Sequence, residues 1–123
     1  MNIYFLVAAG LTAATLFIHC YFGGKKIVPP LLNSPDIQPV PKYIHYGNWH
    51  VATIHFTGMT LSYVWAAIYP EAIELAVLGT LVSAAIFMWA VILNIWKKHS
   101  FRAIPHWSFF LSITIAGSMG LAG

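Results

Sequence analysis

The chain has 123 residues, of which 59% are hydrophobic and 7% are charged, and its mean hydropathy is +0.76. A soluble domain carries roughly a quarter of its residues charged, so this composition excludes a soluble globular fold and indicates an integral membrane protein. The net charge of +3 comes from basic residues that are too few for a nucleic-acid-binding surface. Cys20 is the single cysteine, which excludes an intrachain disulfide and a Cys-rich metal site.

The first predicted element is a transmembrane helix over residues 2–22. This segment is apolar throughout, and its length is close to the ~20 residues that cross a bilayer. No basic residue precedes it, which distinguishes it from a secretory signal. After Asn2, its only strongly polar side chain is His19. Gly23 and Gly24 are expected to end the helix, and the prolines that follow predict a Pro-rich, non-helical loop over 23–42.

Three further spans are predicted, over 43–69, 71–96 and 105–121. Pro70 leaves only a tight turn between the second and third spans, so those two helices are expected to be antiparallel neighbours. Pro105 suits the first turn of the last helix. The sequence therefore predicts an all-α, single-domain, four-helix transmembrane bundle.

The basic residues predict the orientation of this bundle. They lie in the first and third loops, which are on the same side of a four-span protein: Lys25, Lys26, Lys42, Lys97, Lys98 and Arg102. The opposite side carries no Lys or Arg. By the positive-inside rule, both loops are predicted to be cytoplasmic and both termini to lie outside. We expect this membrane to be the inner membrane of a bacterium.

Histidines within the predicted spans are the candidate functional residues, because ionisable side chains inside a membrane are usually functional. At about 100° per residue, His45 and His55 lie within about 80° of each other, whereas His50 points about 140° away from them. A metal or haem site must therefore take ligands from two helices. His19 and His50 are expected at similar depth and are the predicted ligand pair for haem b, a metal ion or a pigment, with Trp49 and His55 as further cofactor contacts.

Two other functions stay open at this stage. In the first, the chain is a structural or accessory subunit, or forms a homo-oligomer. Its histidines then only satisfy hydrogen bonds, and other membrane subunits pack on its small residues. Alternatively it is a small proton-linked transporter or channel that uses His55 and the threonines of the second span. A carboxylate-bridged di-iron site is excluded because no span interior contains a carboxylate, and no catalytic residue is identified.

Several short motifs follow one another along the chain: His19, then Gly23-Gly24, Pro30-Leu31-Leu32 and Trp49-His50. A helical hairpin and a last helix rich in small residues come after them. This pattern resembles a group of short bacterial four-span proteins described as hypothetical membrane proteins. The resemblance covers most of the chain. It implies an α-helical bundle and points to His19 and Trp49-His50, but it implies no activity and no cofactor.

Overall fold

The computed structural model describes residues 1–123, and all of its secondary structure is helical. The main helices are α1 (Ile3–Ile18), α2 (Val28–Asn33), α3 (Pro39–Ile68), α4 (Ile73–Trp96) and α5 (His106–Ala122). Three helical stretches are long and apolar enough to cross a membrane: Ile3–Asn33, Pro39–Ile68 and Pro70–Trp96. The predicted all-helical fold is therefore confirmed, with three candidate spans and a shorter fourth helix of 17 residues.

The predicted loop over 23–42 is mostly helical, which corrects the sequence-based interpretation. After α1 the chain makes a π-helical turn at His19–Gly23 and a helical segment at Gly24–Lys26, and it then enters α2. Prolines are tolerated here because they occupy the first turns of α2 and α3, where a backbone N–H has no partner within the helix. The non-helical connection is only residues 34–38.

The other helices begin and end within a few residues of the predicted bounds. α3 begins earlier than predicted, at Pro39, because Pro39 is suited to the first helical position. A 3₁₀ turn at Pro70–Ala72 forms the predicted tight connection between α3 and α4. α5 begins directly after Pro105.

The four long helices form a ring. α1 packs against α3 and α5, and α4 packs against α5 and more sparsely against α3. Asn2 ties one end of this ring together. Its side-chain oxygen accepts from the N–H groups of Tyr4 and Phe5 as the N-cap of α1. Its backbone N–H donates to the Ala67 carbonyl at 2.9 Å, and its Nδ2 donates to the Gly120 carbonyl at 2.9 Å.

A buried tyrosine locks α3 to α4 and α5. Tyr63 is fully buried, and its hydroxyl lies 3.1 Å from Thr80 Oγ1. Thr80 donates its own hydrogen to the Ala76 carbonyl at 2.7 Å, so Tyr63 is the donor in the pair. Gly79 and Gly117 make room for this contact. A Cβ on Gly79 would lie 3.1 Å from Tyr63 Cζ, and a Cβ on Gly117 would overlap Thr80 Oγ1 and lie 2.9 Å from the Tyr63 hydroxyl.

Replacing Gly117 by Ala is expected to lower the free energy of unfolding by about 1–3 kcal/mol, because the added methyl group must displace Tyr63 and Thr80 from a closely packed site. Gly10→Ala is the matched control, since a Cβ at Gly10 meets no atom within 4 Å. Unfolding of both variants in detergent, followed by circular dichroism, measures the difference. Equal stability of the two variants would show that Gly117 is not required for packing.

Candidate functional site

His19 connects α1 to α3 at the point where the helix widens into the π turn. Its half-buried imidazole places Nε2 3.0 Å from the carbonyl oxygen of Trp49 and 3.1 Å from Thr53 Oγ1. A carbonyl oxygen can only accept, so Nε2 carries a hydrogen and donates it to Trp49. The π turn inserts one extra residue into α1, and such turns frequently occur at functional positions. Here the turn carries the imidazole that crosses to the neighbouring helix.

Aromatic rings enclose this imidazole. The His19 ring stacks on the Trp49 indole with centroids 4.5 Å apart and planes at 22°, and it meets Phe56 edge-on at 5.4 Å. Gly23 also lies against the Trp49 indole, since a Cβ added to Gly23 would lie only 3.3 Å from Trp49 Nε1. We call these residues, with Thr53, the His19 joint. The structure therefore brings together three residues of the sequence motif, namely His19, Gly23 and Trp49.

Two members of the His19 joint, Thr53 and Phe56, were not among the predicted site residues, although a simple spacing connects them to Trp49. Thr53 follows Trp49 by one helical turn and Phe56 by two, so both lie on the same face of α3. Phe56 continues the cluster to α5, where its ring lies 5.6 Å from that of Phe110. The joint thus lies where α1, α3 and α5 meet.

His50 lies outside this joint. It is exposed, and its ring contacts the edges of Tyr46 at 4.6 Å and Trp49 at 5.0 Å on its own helix. The structure therefore does not place His19 and His50 as facing ligands: both rings contact Trp49, and Nε2 of His19 is already bonded. No group of three or more His, Cys, Asp or Glu side chains is arranged to hold a metal ion. Haem or metal binding by His19 and His50 stays a prediction.

His55 also faces outward, close to the middle of α3. It borders a groove of about 230 Å³ between α3 and α4, together with Gly58, Met59, Ser62, Leu75, Leu78, Gly79 and Val82. His45 is exposed as well. All three histidines of α3 are therefore on the outer surface of the bundle, and none of them makes a side-chain hydrogen bond within the chain.

The outer faces of α3 and α4 differ in chemistry. On α4, every exposed residue between Leu75 and Trp96 is apolar. On α3, exposed polar residues alternate with exposed apolar ones; the polar set is His45, Asn48, His50, His55 and Thr57. Thr57 satisfies its hydroxyl by donating to the Thr53 carbonyl at 2.9 Å. The α4 surface has the composition of a lipid-facing helix, and the α3 surface does not.

Replacing His19 by Leu is expected to lower the free energy of unfolding by about 1–3 kcal/mol, since it removes the hydrogen bonds to Trp49 and Thr53 and the stacked ring. His45→Leu is the control, because that exposed ring makes no hydrogen bond in the chain. Thermal unfolding followed through tryptophan fluorescence measures both variants. If His19→Leu is as stable as His45→Leu, the His19 joint does not hold α1 to α3.

Comparison of the chain with protein-family models, with curated proteins and with solved structures finds no match. The similarity to short bacterial four-span membrane proteins therefore stays a prediction. The features of this chain that bear on its function are the His19 joint and the outer face of α3.

Proposed function

We propose that the protein is a four-helix transmembrane bundle that serves as a small accessory subunit of a membrane complex, and that it binds another protein chain through the outer face of α3. The observation that carries this proposal is the exposure of His55 near the middle of a membrane-spanning helix. Lipid tails offer an imidazole no hydrogen-bond partner, so polar side chains at this depth usually face protein or a cavity. A partner that covers α3 would supply what lipid lacks.

The chain provides its own reference for a lipid-facing surface. The exposed part of α4 is apolar from Leu75 to Trp96, as expected for a helix that contacts only hydrocarbon. The exposed part of α3 carries histidines, an asparagine and two open glycines, Gly47 and Gly58, at which a Cβ would meet nothing within 4 Å. Small and hydrogen-bonding residues are enriched where membrane helices pack together. The difference between the two helices supports a protein contact on α3 rather than on α4.

The length of α5 supports a fourth crossing. Its 17 residues correspond to about 25 Å at 1.5 Å per residue, close to the ~30 Å hydrocarbon core. α5 packs along both α1 and α4, which supports a position within the same layer as the candidate spans. With four crossings, the positive-inside rule orients both termini outside and both basic loops in the cytoplasm of a bacterium.

Photocrosslinking in native membranes tests the proposal. A benzophenone amino acid at Ile54, which is 72% exposed on α3, is expected to crosslink to protein, whereas one at Leu81, which is 64% exposed on α4, is expected to crosslink to lipid. The two positions are matched in exposure and both project from the bundle. If the probe at Ile54 labels only lipid, as the probe at Leu81 does, the outer face of α3 has no protein partner.

A redox centre is the second candidate, because the exposed ring of His50 makes no hydrogen bond in the chain and is free to ligate haem b or another metal together with a ligand from another helix. If this candidate is correct, optical spectra of the purified protein in oxidised and reduced states will show a reducible Soret band with stoichiometric iron. His50→Ala is expected to remove that band and His45→Ala to preserve it. A colourless, metal-free and stable sample contradicts the candidate.

No observation favours the hypothesis that the protein is a small proton-linked transporter or channel. The middle of the bundle is filled by fully buried side chains such as Tyr63 and Ile113, and the groove beside His55 lies on its surface.

A further inference from the structure

The outer face of α3 carries a regular apolar line. Eight residues recur at alternating steps of three and four, and all of them are exposed: Ile44, Gly47, Val51, Ile54, Gly58, Leu61, Trp65 and Ile68. We call this line the outer seam. Alternating steps of three and four over about three and a half heptads are the a and d pattern of a left-handed coiled coil. The seam is separate from the packing within the chain, which uses the opposite face of α3 through Phe56, Met59 and Tyr63.

Polar residues flank the outer seam at heptad spacing. Asn48, His55 and Ser62 lie on one side, at the e positions that directly follow the d residues. Tyr43, His50 and Thr57 lie on the other side, at the g positions that directly precede the a residues. Each flank therefore repeats every seven residues beside the seam, which is the arrangement that selects partners in coiled coils.

We propose that the outer seam of α3 packs against the outer seam of a second copy of this chain, as a parallel pair related by a two-fold axis along the membrane normal. This inference rests on the proposed function and names its partner. All copies insert with the same orientation, so α3 helices of two copies meet in parallel. In that geometry a g residue of one helix lies beside the e residue five positions further along the other.

The two flanks are complementary to each other under this symmetry. Tyr43 pairs with Asn48 of the partner subunit, His50 with His55 of the partner subunit, and Thr57 with Ser62 of the partner subunit. Every pair joins two groups that can both donate and accept a hydrogen bond. Each pair also occurs twice because of the two-fold axis.

The self-complementary flanks favour a second copy over other occupants. Lipid would leave the exposed rings of His50 and His55 without hydrogen-bond partners. A different protein would have to supply its own matching polar groups at the same heptad spacing, whereas this chain already carries them. Gly47 and Gly58 within the seam allow two backbones to approach closely.

Cysteine crosslinking tests the identity of the partner. In a Cys20→Ser background, Ile54→Cys is expected to form a disulfide-linked dimer in the membrane, because d residues of a parallel pair face each other within disulfide reach. Leu81→Cys on α4 is the matched control and is expected to stay monomeric. A monomeric Ile54→Cys protein, or equal crosslinking at both positions, overturns the dimer.

The two crosslinking experiments separate this inference from the proposed function. If Ile54 photocrosslinks to a different protein while Ile54→Cys gives no dimer, the second copy is wrong and the accessory-subunit proposal stands. If Ile54 photocrosslinks only to lipid, both fail.

Substitution of the flanking histidines tests the register. His55→Leu is expected to weaken the dimer about three- to tenfold, since it removes two symmetric hydrogen bonds within the membrane. His45→Leu lies outside both flanks and is expected to leave the dimer unchanged. Energy transfer between labelled copies, measured as the protein is diluted in lipid vesicles, gives both values. Equal dissociation of the two variants overturns the pairing of His50 with His55 of the partner subunit.

Discussion

Hydrocarbon offers no hydrogen bonds, and this constraint explains most of the polar chemistry in the bundle. Thr12, Thr15, Thr60, Thr80 and Thr114 each donate to the carbonyl one turn earlier in their own helix. Tyr63 donates to Thr80, and His19 donates to the Trp49 carbonyl. Within the bundle, then, these hydroxyl and imidazole groups find acceptors on the same or the adjacent helix, whereas the buried Ser83 hydroxyl has no hydrogen-bond partner in the chain. On the outer face of α3, three exposed histidines make no side-chain hydrogen bond within the chain: His45, His50 and His55.

The His19 joint and the outer seam are two consequences of one rotation of α3. Trp49, Phe56 and Tyr63 recur every seven residues on the inner face and pack against α1, α4 and α5. With those residues turned inward, His50 and His55 must point away from the interior. The contact of His19 with α3 and the outward direction of His50 and His55 therefore arise together. The joint holds α3 in the rotation that presents the seam.

The long apolar segments predicted the all-helical fold, and the positions of Pro70 and Pro105 predicted the hairpin and the start of α5. Both features can be read directly from the sequence. The segment 23–42 was mispredicted as a loop because its prolines and glycines are compatible with more than one local structure. A proline ends one helix or begins the next, and Gly23 serves to admit the Trp49 indole rather than to stop α1. The rotation of about 100° per residue predicted that His50 points away from His45 and His55. It could not show which side of α3 faces the core of the bundle. His19 donates to a backbone carbonyl. Because every residue has a backbone carbonyl, the sequence cannot indicate which one is the acceptor.

The π turn at His19–Gly23 also matters for how this chain would be aligned with others. A π turn closes over one more residue than an α-helical turn, so it amounts to a one-residue insertion in a continuous helix. A homologous chain without it would need a gap at this position, and everything beyond the gap would be rotated by about 100° about the helix axis. Lys25, whose ammonium lies 2.9 Å from the Tyr21 hydroxyl, would then leave that side of the helix. A single-residue length difference here would therefore mark a change in which way the basic end of the first helix faces.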